Sequence, residues 1–532
     1  MARYKVFAAD GFSKEGIEIL EKSGIFDVKV NAKTPRDELL KEISAFDALI
    51  VRSASKADKE VIDAGKILKL IARAGVGLDN VEIPAATARG IVVMNAPSGN
   101  TISTAELSFA MLMSLSRNIP QAYASMKQKV WEKKKFEGIE MHGKTLGIIG
   151  LGRIGREVAK RAIAFGMNVL GHDPYFPEEG AKTLGVTLVK LERIYKESDY
   201  ITVHTPLSPE TEDLVTKKEI ALMKPNVRLV NCARGGIINE NDLRDALAEK
   251  RIAGAALDVF ITEPPKEFIY ADLDNCITTP HLGASTEEAQ ISVAIETANA
   301  LVSYFRDNVA HNSVNFPAID AHIYNEMKNF VELASKIGAF LAQVARASIT
   351  KVEVTYSGSI TEKPTKILTT AVLKGLISSL IGSDSSVNFV NAPVIARERG
   401  ISVVERNITK IGDFSEIIAV KITTESGKSV EIWGTVFTDG KPRIVRYDQY
   451  HIEMQPQGHV LLVICKDRYG FVGQIGTIMG DKKININDMR LTIEESSKRA
   501  LNVLVLDTKP GKEVLDKVHA MPDIYEVHMI SL

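Results

Sequence analysis

The stretch Lys144–Gly155, KTLGIIGLGRIG, places a run of apolar residues directly before a glycine-rich turn and a helical pattern. Gly150, Gly152 and Gly155 have the spacing G-x-G-x-x-G, and the following residues, RIGREVAKRAIAFG, predict a helix. Such glycines allow a tight turn and let backbone amides approach a pyrophosphate, whose charge the helix N-terminus stabilises. The stretch therefore predicts a parallel α/β sheet with a dinucleotide site at its first turn.

An acidic residue supports the same site. Asp173 ends the next apolar run, MNVLGHD, close to the offset of about twenty residues that is expected of a ribose ligand. A carboxylate there would repel the 2′-phosphate of NADP, so NAD is the predicted cofactor. Since acids also end strands as turn formers, and Pro174 follows, a structural role for Asp173 stays open. A glycine-rich turn that serves only packing is the alternative for the whole motif.

Length and composition set the scale around this motif. The chain has 532 residues, of which 45% are hydrophobic and 25% charged, and this predicts roughly three or four domains. With 66 basic and 67 acidic residues, nucleic acid is not an expected partner. No apolar segment predicts a signal peptide or a membrane span, and the three distant cysteines form neither a disulfide framework nor a metal-ligand pair. A cytoplasmic protein without a metal site is expected.

Strand-like runs alternate with helical patterns on both sides of the glycine motif. Before it, runs such as YKVFAA and LKLIARA predict a first parallel α/β layer. A buried helix from Ser103, with Glu106 in capping-box spacing, leads into the glycine-motif domain, and a long helical pattern at its end returns the chain to the first layer. The predicted domains are a discontinuous substrate domain, 1–97 with 283–307, and a nucleotide domain, 98–282.

The carboxy-terminal part of the chain has a different pattern. In residues 308–455, the runs EIIAVKITTE and SVEIWGTVF predict a β-hairpin within an α+β domain. Residues 456–532 follow the order strand, helix, strand, strand, helix, strand, which is ferredoxin-like. The predicted fold class is therefore α/β, with a Rossmann-type domain and a discontinuous flavodoxin-like domain, followed by an α+β intervening domain and a ferredoxin-like domain.

Three polar residues follow strand-like runs in the nucleotide domain: Arg234 in NCARGG, Glu263 in FITEPP and His281 in TTPHLGAST. The carboxyl ends of parallel strands form the ligand edge of such a sheet. A histidine can take a hydroxyl proton as hydride leaves carbon, a glutamate can orient it, and an arginine can bind a carboxylate at two points. Each residue alone also has an ordinary structural interpretation. Together they predict the oxidation of a hydroxy acid.

In their order and spacing, up to about Asp307, these motifs closely resemble the D-isomer-specific 2-hydroxyacid dehydrogenases. The resemblance implies that Arg234, Glu263 and His281 are the catalytic triad, with His281 as the acid/base, Glu263 tuning it and Arg234 binding the substrate carboxylate. It also implies a cofactor site that comprises Gly150, Gly152, Arg153, Ile154, Gly155, Asp173, Thr205, Cys232, Ala233, Asp258, Gly283 and Ala284.

The amino-terminal pieces VRSASK and ARAGVGLDNVE resemble the long-chain members of that family that act on a phosphorylated 2-hydroxy acid. The resemblance implies a substrate site with Arg52, Ser53, Gly75 and Asn100. Five lysines between 127 and 135 either hold a substrate phosphate, across a subunit boundary, or form a solvated face. The alternatives are another member, which reduces hydroxypyruvate or glyoxylate, and a non-catalytic protein that senses NAD.

The carboxy-terminal pieces extend the resemblance. The region before residue 456 resembles the intervening domain of the long-chain members, and DRYGFVGQIGTIMGDKKININDM resembles an ACT domain, a small-molecule-sensing module. The tail is expected to join subunits, and a homodimer or homotetramer is predicted. Asn485 matches the asparagine of serine-sensing relatives, but Cys465 and Asp467 replace the expected amide and imidazole. We therefore expect L-serine to inhibit weakly or not at all.

Overall fold

The computed structural model describes residues 3–317, 321–345, 347–382, 387–409 and 414–532. Within these ranges the chain forms four sheets, two parallel ones followed by two that are mainly antiparallel. None of the helices in the described ranges is long and apolar enough to span a bilayer.

The first sheet has the strand order β2-β1-β3-β4-β5, and all of its strands are parallel. This is a flavodoxin-like order, as the sequence predicts. Every side chain of β3 is buried because helices cover both faces of the sheet. The elements are β1 (Tyr4–Ala8), α1 (Lys14–Lys22), β2 (Phe26–Val30), α2 (Arg36–Glu42), a 3₁₀ helix (Ile43–Ala45), β3 (Ala48–Val51), α3 (Lys59–Ala64), β4 (Leu70–Arg73), α4 (Ile83–Ala88) and β5 (Val92–Asn95).

The second sheet has the order β12-β11-β10-β9-β6-β7-β8 and is also entirely parallel. It is the predicted Rossmann-type sheet, with β6 directly before the glycine motif. Its elements are α5 (Thr101–Arg117), α6 (Ile119–Lys127), a 3₁₀ helix (Lys133–Phe136), β6 (Thr145–Ile149), α7 (Arg153–Ala164), β7 (Asn168–His172), α8 (Glu178–Leu184), β8 (Thr187–Leu188), α9 (Leu191–Glu197), β9 (Tyr200–Val203), α10 (Lys217–Leu222), β10 (Arg228–Asn231), α11 (Glu240–Ala248), β11 (Gly254–Leu257), β12 (Cys276–Thr278) and α12 (Glu287–Asp307).

Two long helices connect these sheets. The capping box predicted at Ser103 is wrong: α5 starts at Thr101 with Asn100 as N-cap, and the Ser103 hydroxyl donates to the Asn100 carbonyl at 3.1 Å. A serine inside the first turn has no free amide of N3 to cap, so it bonds backward to a carbonyl. The helix α12 returns to the first sheet, where Ala298 and Leu301 are buried in its core. The exact domain limits stay a prediction.

The third sheet has the order β14-β13-β15-β16-β17-β18, and only β13 and β14 are parallel. The predicted hairpin is formed by β15 and β16. The elements are α13 (Ala321–Ala345), β13 (Ile349–Gly358), a 3₁₀ helix (Ser359–Glu362), α14 (Lys366–Ile381), α15 (Ala392–Glu398), β14 (Ser402–Ile408), β15 (Glu416–Thr424), β16 (Ser429–Val436), β17 (Pro442–Tyr447) and β18 (Tyr450–Met454).

The fourth sheet is antiparallel with the order β20-β21-β19-β22, which confirms the ferredoxin-like prediction. Its elements are β19 (His459–Lys466), α16 (Phe471–Asp481), β20 (Ile486–Glu494), β21 (Arg499–Leu506), α17 (Lys512–His519) and β22 (Ile524–Ser531). One face of this sheet packs on α16 and α17, and the other belongs to the same buried cluster as α13 and α14. Cys465 lies in the core under α16 and α17, so of the pair Cys465 and Asp467 only Asp467 is exposed.

Candidate active site

The glycine loop lies between β6 and α7, at the carboxyl edge of the second sheet. Gly150 has a φ of +96°, and a Cβ there would lie 2.5 Å from the carbonyl oxygen of His204. A Cβ on Gly155 would lie 2.0 Å from the carbonyl oxygen of Gly150, whereas a Cβ on Gly152 would meet nothing within 4 Å. Gly150 and Gly155 therefore form the turn, and Gly152 leaves its backbone open to a phosphate.

Asp173 follows β7, the strand beside the glycine loop. Its carboxylate accepts hydrogen bonds from the backbone amides of Leu151 (2.9 Å) and Tyr175 (2.8 Å). The structural role that the sequence left open is therefore present, because the side chain fixes both loops. The carboxylate is only partly buried and keeps lone pairs for a further partner.

A cavity of about 390 Å³ lies between the first two sheets. Residues 76–79, from the loop after β4, form one wall. The opposite walls contain nine of the predicted site residues: Asn100, Ile154, Thr205, Cys232, Ala233, Arg234, His281, Gly283 and Ala284. Arg153 is exposed at the start of α7 and donates to the Pro97 carbonyl at 3.2 Å. The fold thus brings Arg234, His281, Asn100 and six predicted cofactor residues to one cavity between two domains, a common place for a ligand site. The other predicted catalytic and substrate residues do not line it: Glu263, Arg52, Ser53 and Gly75.

Arg234 follows β10. The side-chain amide of Asn231 shapes this turn, accepting from the Ala233 amide (3.0 Å) and donating to the Arg234 carbonyl (2.8 Å). The guanidinium donates to the Ala233 carbonyl (2.6 Å), and its Nε lies 3.3 Å from the Asp79 carboxylate on the opposite wall. Since the Asp79 side chain is 74% exposed, this ion pair is weak. The guanidinium can exchange it for a bound carboxylate.

His281 and Glu263 come from the loops after β12 and β11. The Nδ1 atom of His281 lies 2.5 Å from a Glu263 carboxylate oxygen, and the Phe260 amide donates to the other oxygen at 3.0 Å. Partial burial raises the pKa of Glu263, but the hydrogen bonds from His281 and Phe260 outweigh it and hold the pKa below its usual value. Glu263 is therefore ionised near neutral pH and accepts the Nδ1 proton, which leaves Nε2 of His281 available to a substrate hydroxyl.

Asp258 is fully buried beneath the loop that presents His281. Its carboxylate accepts hydrogen bonds from the Thr279 hydroxyl (2.6 Å) and from the amides of Leu282 (2.7 Å) and Gly283 (2.8 Å). The sequence assigns Asp258 to the cofactor site. In the structure, the Asp258 carboxylate fixes the loop around His281 and lies outside the cavity lining.

A second histidine, His204, lies in the cavity lining and was not singled out by the motifs. Its Nε2 atom lies 3.0 Å from the Thr202 hydroxyl. Burial lowers the pKa of His204 to about 4, so its ring is neutral near pH 7 and too weak a base to replace His281. Its position next to Thr205, in VHTP at the end of a buried strand, is the sequence signal that could have found it.

Arg73 is another residue that the motifs did not single out. It ends β4, and its Nη2 donates to the Ser53 hydroxyl at 3.1 Å. Its Nε is buried and has no hydrogen-bond partner among the described residues. Burial lowers the pKa of Arg73 to about 10, and the positive charges of Arg234 and Arg52 act in the same direction. A buried cation with an unused donor indicates a place for an anionic ligand.

Two glycines of the RAGVG segment make room for the arginines. A Cβ on Gly75 would lie 1.3 Å from Nη1 of Arg73, and a Cβ on Gly77 would lie 2.1 Å from Nη2 of Arg234. Gly75 also has a φ of +151°, which favours glycine. Gly75 therefore makes room for Arg73, which the same segment could have pointed to, and its place at the substrate site stays a prediction.

Arg52 reaches toward the loop that follows His281. Its guanidinium donates to the side-chain oxygen of Gln290, whose amide nitrogen donates to the Ala284 carbonyl at 2.6 Å. Gln290 lies on α12, so this helix connects the substrate side of the cavity to the loop around His281.

The five lysines predicted to hold a substrate phosphate or to form a solvated face are all exposed around α6 and the 3₁₀ helix that follows it, outside the cavity: Lys127, Lys129, Lys133, Lys134 and Lys135. Among the described residues, no cluster of His, Cys, Asp or Glu has the form of a metal site.

Comparison with known proteins matches three family models along the chain. Residues 109–283 match the NAD binding domain of D-isomer specific 2-hydroxyacid dehydrogenases, residues 326–448 the intervening domain of D-3-phosphoglycerate dehydrogenase, and residues 459–523 the ACT domain. Among solved structures, an NAD⁺-bound 3-phosphoglycerate dehydrogenase of Entamoeba histolytica is 29% identical, with a TM-score of 0.51 over 59% of this chain and 99% of that one.

Curated relatives extend over nearly the whole chain. A D-3-phosphoglycerate dehydrogenase of Methanocaldococcus jannaschii is 42% identical over 99% of this chain and 100% of its own length. One of Bacillus subtilis is 40% identical over the same shares. With relatives at least 40% identical over nearly the whole chain and three family models that match along it, the chain belongs to the D-3-phosphoglycerate dehydrogenase family within the D-isomer-specific 2-hydroxyacid dehydrogenases.

Proposed function

We propose that the chain oxidises 3-phospho-D-glycerate to 3-phosphooxypyruvate with NAD, the first step of L-serine biosynthesis. The observation that supports this most is the cavity between the first two sheets, which Arg234 and His281 line, with Glu263 bonded to His281. Arg52 and Arg73 of the first domain, the arginine cluster, lie near Arg234. The full-length relatives named for this activity support it independently.

The residues around the glycine loop fit NAD. Gly152 has an open backbone for the pyrophosphate, and the carboxylate of Asp173 stands at the end of β7, where it can accept hydrogen bonds from the ribose hydroxyls. Thr205 Oγ1 and Asn100 Oδ1 are buried at the cavity and have no hydrogen-bond partner among the described residues, so a bound polar group would satisfy them. When bound, NAD supplies the acceptor for the hydride.

His281 is the acid/base in this proposal. With Nδ1 held by Glu263, the free Nε2 takes the proton of the C2 hydroxyl as the hydride leaves the same carbon. The positive charge that develops on the imidazole is stabilised by the ionised Glu263, 2.5 Å away. Asp258 contributes indirectly, because it fixes the loop that presents His281.

The two ends of the substrate meet different arginines. Arg234 binds the carboxylate next to the reacting carbon, because it lies in the same cavity wall as His281. Arg52, Ser53 and Arg73 form the opposite group, which would hold the phosphate, with Gly75 beside Arg73. Asn100 lines the cavity itself. A phosphate at this place would satisfy the unused donor of Arg73.

The test is NADH formation with 3-phospho-D-glycerate, compared with D-glycerate and D-lactate. We expect kcat/KM for the phosphorylated acid to exceed both others by at least about tenfold, since one charged contact contributes 1.4 kcal/mol or more. Faster reduction of glyoxylate or hydroxypyruvate than of 3-phosphooxypyruvate would instead favour another member of the family. Binding of NAD with no turnover of any of these acids would favour a sensor.

We also infer a homodimer or homotetramer that works in the cytoplasm. The helix α6 and the loop after it expose a group of large apolar side chains, with Tyr123 65% and Trp131 79% exposed. The same surface contains a cavity of about 600 Å³. Protruding apolar side chains and a cavity on one surface allow two identical chains to pack against each other about a two-fold axis. Light scattering on the wild type and on Trp131→Glu tests this contact, and a wild-type monomer would contradict it.

The three cysteines are free thiols, which fits the reducing environment of the cytoplasm.

A further inference from the structure

The loop that carries Arg52 and Ser53 is held from two sides, by a buried carboxylate and by a partly buried side-chain amide. Asp10, directly after β1, is 8% exposed, and its carboxylate accepts from the amides of Arg52 (2.8 Å) and Ser55 (2.9 Å) and from the Ser55 hydroxyl (2.6 Å). On the other side, the side-chain amide of Asn80 donates to the carbonyls of Arg52 and Ser55, both at 2.6 Å. Side chains thus satisfy the loop backbone that the neighbouring strands leave unpaired.

Asp10 also places a negative charge near the arginine cluster. Burial lowers the pKa of Arg73 to about 10, and the charges of Arg234 and Arg52 act in the same direction. The carboxylate of Asp79 and, to a smaller extent, that of Asp10 oppose this shift. Because Asp10 is buried, solvent screens its charge less than it screens an exposed carboxylate.

We propose that Asp10 is a positioning residue for the phosphate of the substrate. It holds residues 52–55 in the conformation in which the Ser53 hydroxyl accepts from Arg73 and the Arg52 guanidinium lies near enough to Arg73 for their charges to interact. Its carboxylate bonds to the loop and not to the cavity, so it acts through these two residues. The inference rests on the proposed function, and it adds a residue that the family motifs do not include.

The effect of losing Asp10 should fall on substrate recognition. The amides of Arg52 and Ser55 and the Ser55 hydroxyl would lose their charged acceptor, and the loop would no longer hold one position. The phosphate is remote from the carbon that loses hydride, so displacement of the side chains that bind it mainly weakens binding of the phosphorylated acid. An acid without the phosphate does not contact these side chains and should be affected much less.

The experiment compares Asp10→Ala with the wild type in the full chain, using 3-phospho-D-glycerate and D-glycerate. We expect kcat/KM for the phosphorylated acid to fall roughly 10- to 100-fold and that for D-glycerate to fall less than about threefold, with KM for NAD unchanged. Asp10→Asn keeps the shape and an acceptor for the amides, so it should recover most of the lost preference.

The matched control is Asp199→Ala. Asp199 is also a largely buried carboxylate, which accepts from the Thr145 amide and from Lys224, both at 2.9 Å. It stands at the amino-terminal edge of the second sheet, away from the cavity, directly before β9. This variant should lower the thermal midpoint while leaving the preference for the phosphorylated acid within about twofold of the wild type.

Equal losses of kcat/KM on both acids, or an unchanged preference, would overturn the proposal, since a residue that only stabilises the fold does not discriminate between them. If Asp10→Ala does not fold, Ser55→Ala removes only the hydroxyl contact and should shift the preference in the same direction by several-fold; no shift would overturn the proposal. A wild-type chain that does not oxidise 3-phospho-D-glycerate would instead contradict the proposed function, before any variant is compared.

Discussion

The two halves of the chain differ in how neighbouring sheets meet. In the amino-terminal half, each parallel sheet has its own pair of buried apolar clusters, and polar loops of the two domains face each other across the cavity. In the carboxy-terminal half, the ACT sheet and the intervening domain share one cluster: Leu462 and Leu501 are buried together with Leu341 of α13 and Leu376 of α14. Gln343 adds two hydrogen bonds to the backbone of Ser531, at 3.0 and 2.9 Å.

This difference indicates where the molecule can open at low cost. Separating two domains that meet through polar loops exposes little apolar surface, whereas separating a shared core costs about 25 cal/mol for each square ångström exposed. Three buried polar atoms without a partner among the described residues belong to the lining of this cavity: Asn100 Oδ1, His204 Nδ1 and Thr205 Oγ1. The chemistry proposed for this chain therefore lies at the contact between separate cores, and the shared core makes the tail one body.

The strongest test of the amino-terminal contact is His281→Asn. We expect turnover to fall by roughly two to four orders of magnitude, the usual contribution of a positioned acid/base, with NAD affinity nearly intact. Steady-state kinetics and a fluorescence titration with NADH measure the two effects. A variant that retains wild-type turnover would return His281 to a structural role.

The shared core of the tail is tested by Leu462→Ala. Leu462 is fully buried on β19, so its truncation should lower the free energy of unfolding by about 2–5 kcal/mol. Hydrogen exchange should show loss of protection in α13 and in the ACT sheet together, while β6 stays protected. Loss confined to the ACT sheet would mean that the ACT domain and the intervening domain unfold independently, which would contradict a shared core.

Asp173→Ala tests whether the Asp173 carboxylate binds the cofactor as well as fixing the two loops beside it. We expect NAD to bind roughly tenfold more weakly and the gap between NAD and NADP to narrow, because a carboxylate accepts from the ribose hydroxyls and repels a phosphate. Titration with both cofactors measures this. If affinity falls equally for both, Asp173 serves only the amides of Leu151 and Tyr175.

A smaller effect concerns the acid side of the stability profile. The pKa of Glu263 in the folded chain lies below its usual value, although burial raises it, because hydrogen bonds from His281 and Phe260 prevail. Its contribution is therefore complete above the unfolded pKa and is lost as the pH falls through the folded pKa. Glu263→Gln lacks this contribution, so the variant should lose less stability on acidification than the wild type. Since the Glu263 side chain is 35% exposed, the difference in the free energy of unfolding should be less than about 1 kcal/mol. Unfolding curves between pH 7 and about pH 3 compare the two chains; a steeper acid loss in the variant would contradict the sign.

The smallest expected effect is that of L-serine. The exposed Asp467 would repel its carboxylate, and the side-chain amide of Asn485 donates to Asn487 at 2.8 Å. A ligand with little differential affinity shifts no equilibrium. Titration of L-serine to millimolar concentrations should therefore leave activity within about twofold of the value without it. Potent inhibition that Asn485→Ala removes would contradict this and restore a feedback role.

Local patterns in the sequence determined the elements and their order. The glycine motif with its flanking strand and helix, the alternation up to Met94 and the ferredoxin-like order of the tail all depend on neighbours within a few residues. Periods of two and 3.6 residues report which side of an element is buried, so the sheets could be predicted without knowing what covers them. The pairing of His281 with Glu263 was also within reach, since both follow strands of one sheet.

The tertiary structure decided what lies behind these motifs. Asp10 and Arg52, Arg73 and Gly75, or Leu462 and Leu341 meet only when separate elements come together, and no local period records such a meeting. The wrong prediction of a capping box at Ser103 has the same cause. Ser103 has the spacing of a cap, but the helix begins earlier and Asn100 is its N-cap. Burial and orphaned polar atoms are properties of packing, so the sequence determined the folds and candidate chemistry, whereas the contacts that orient the arginines and join the tail required three dimensions.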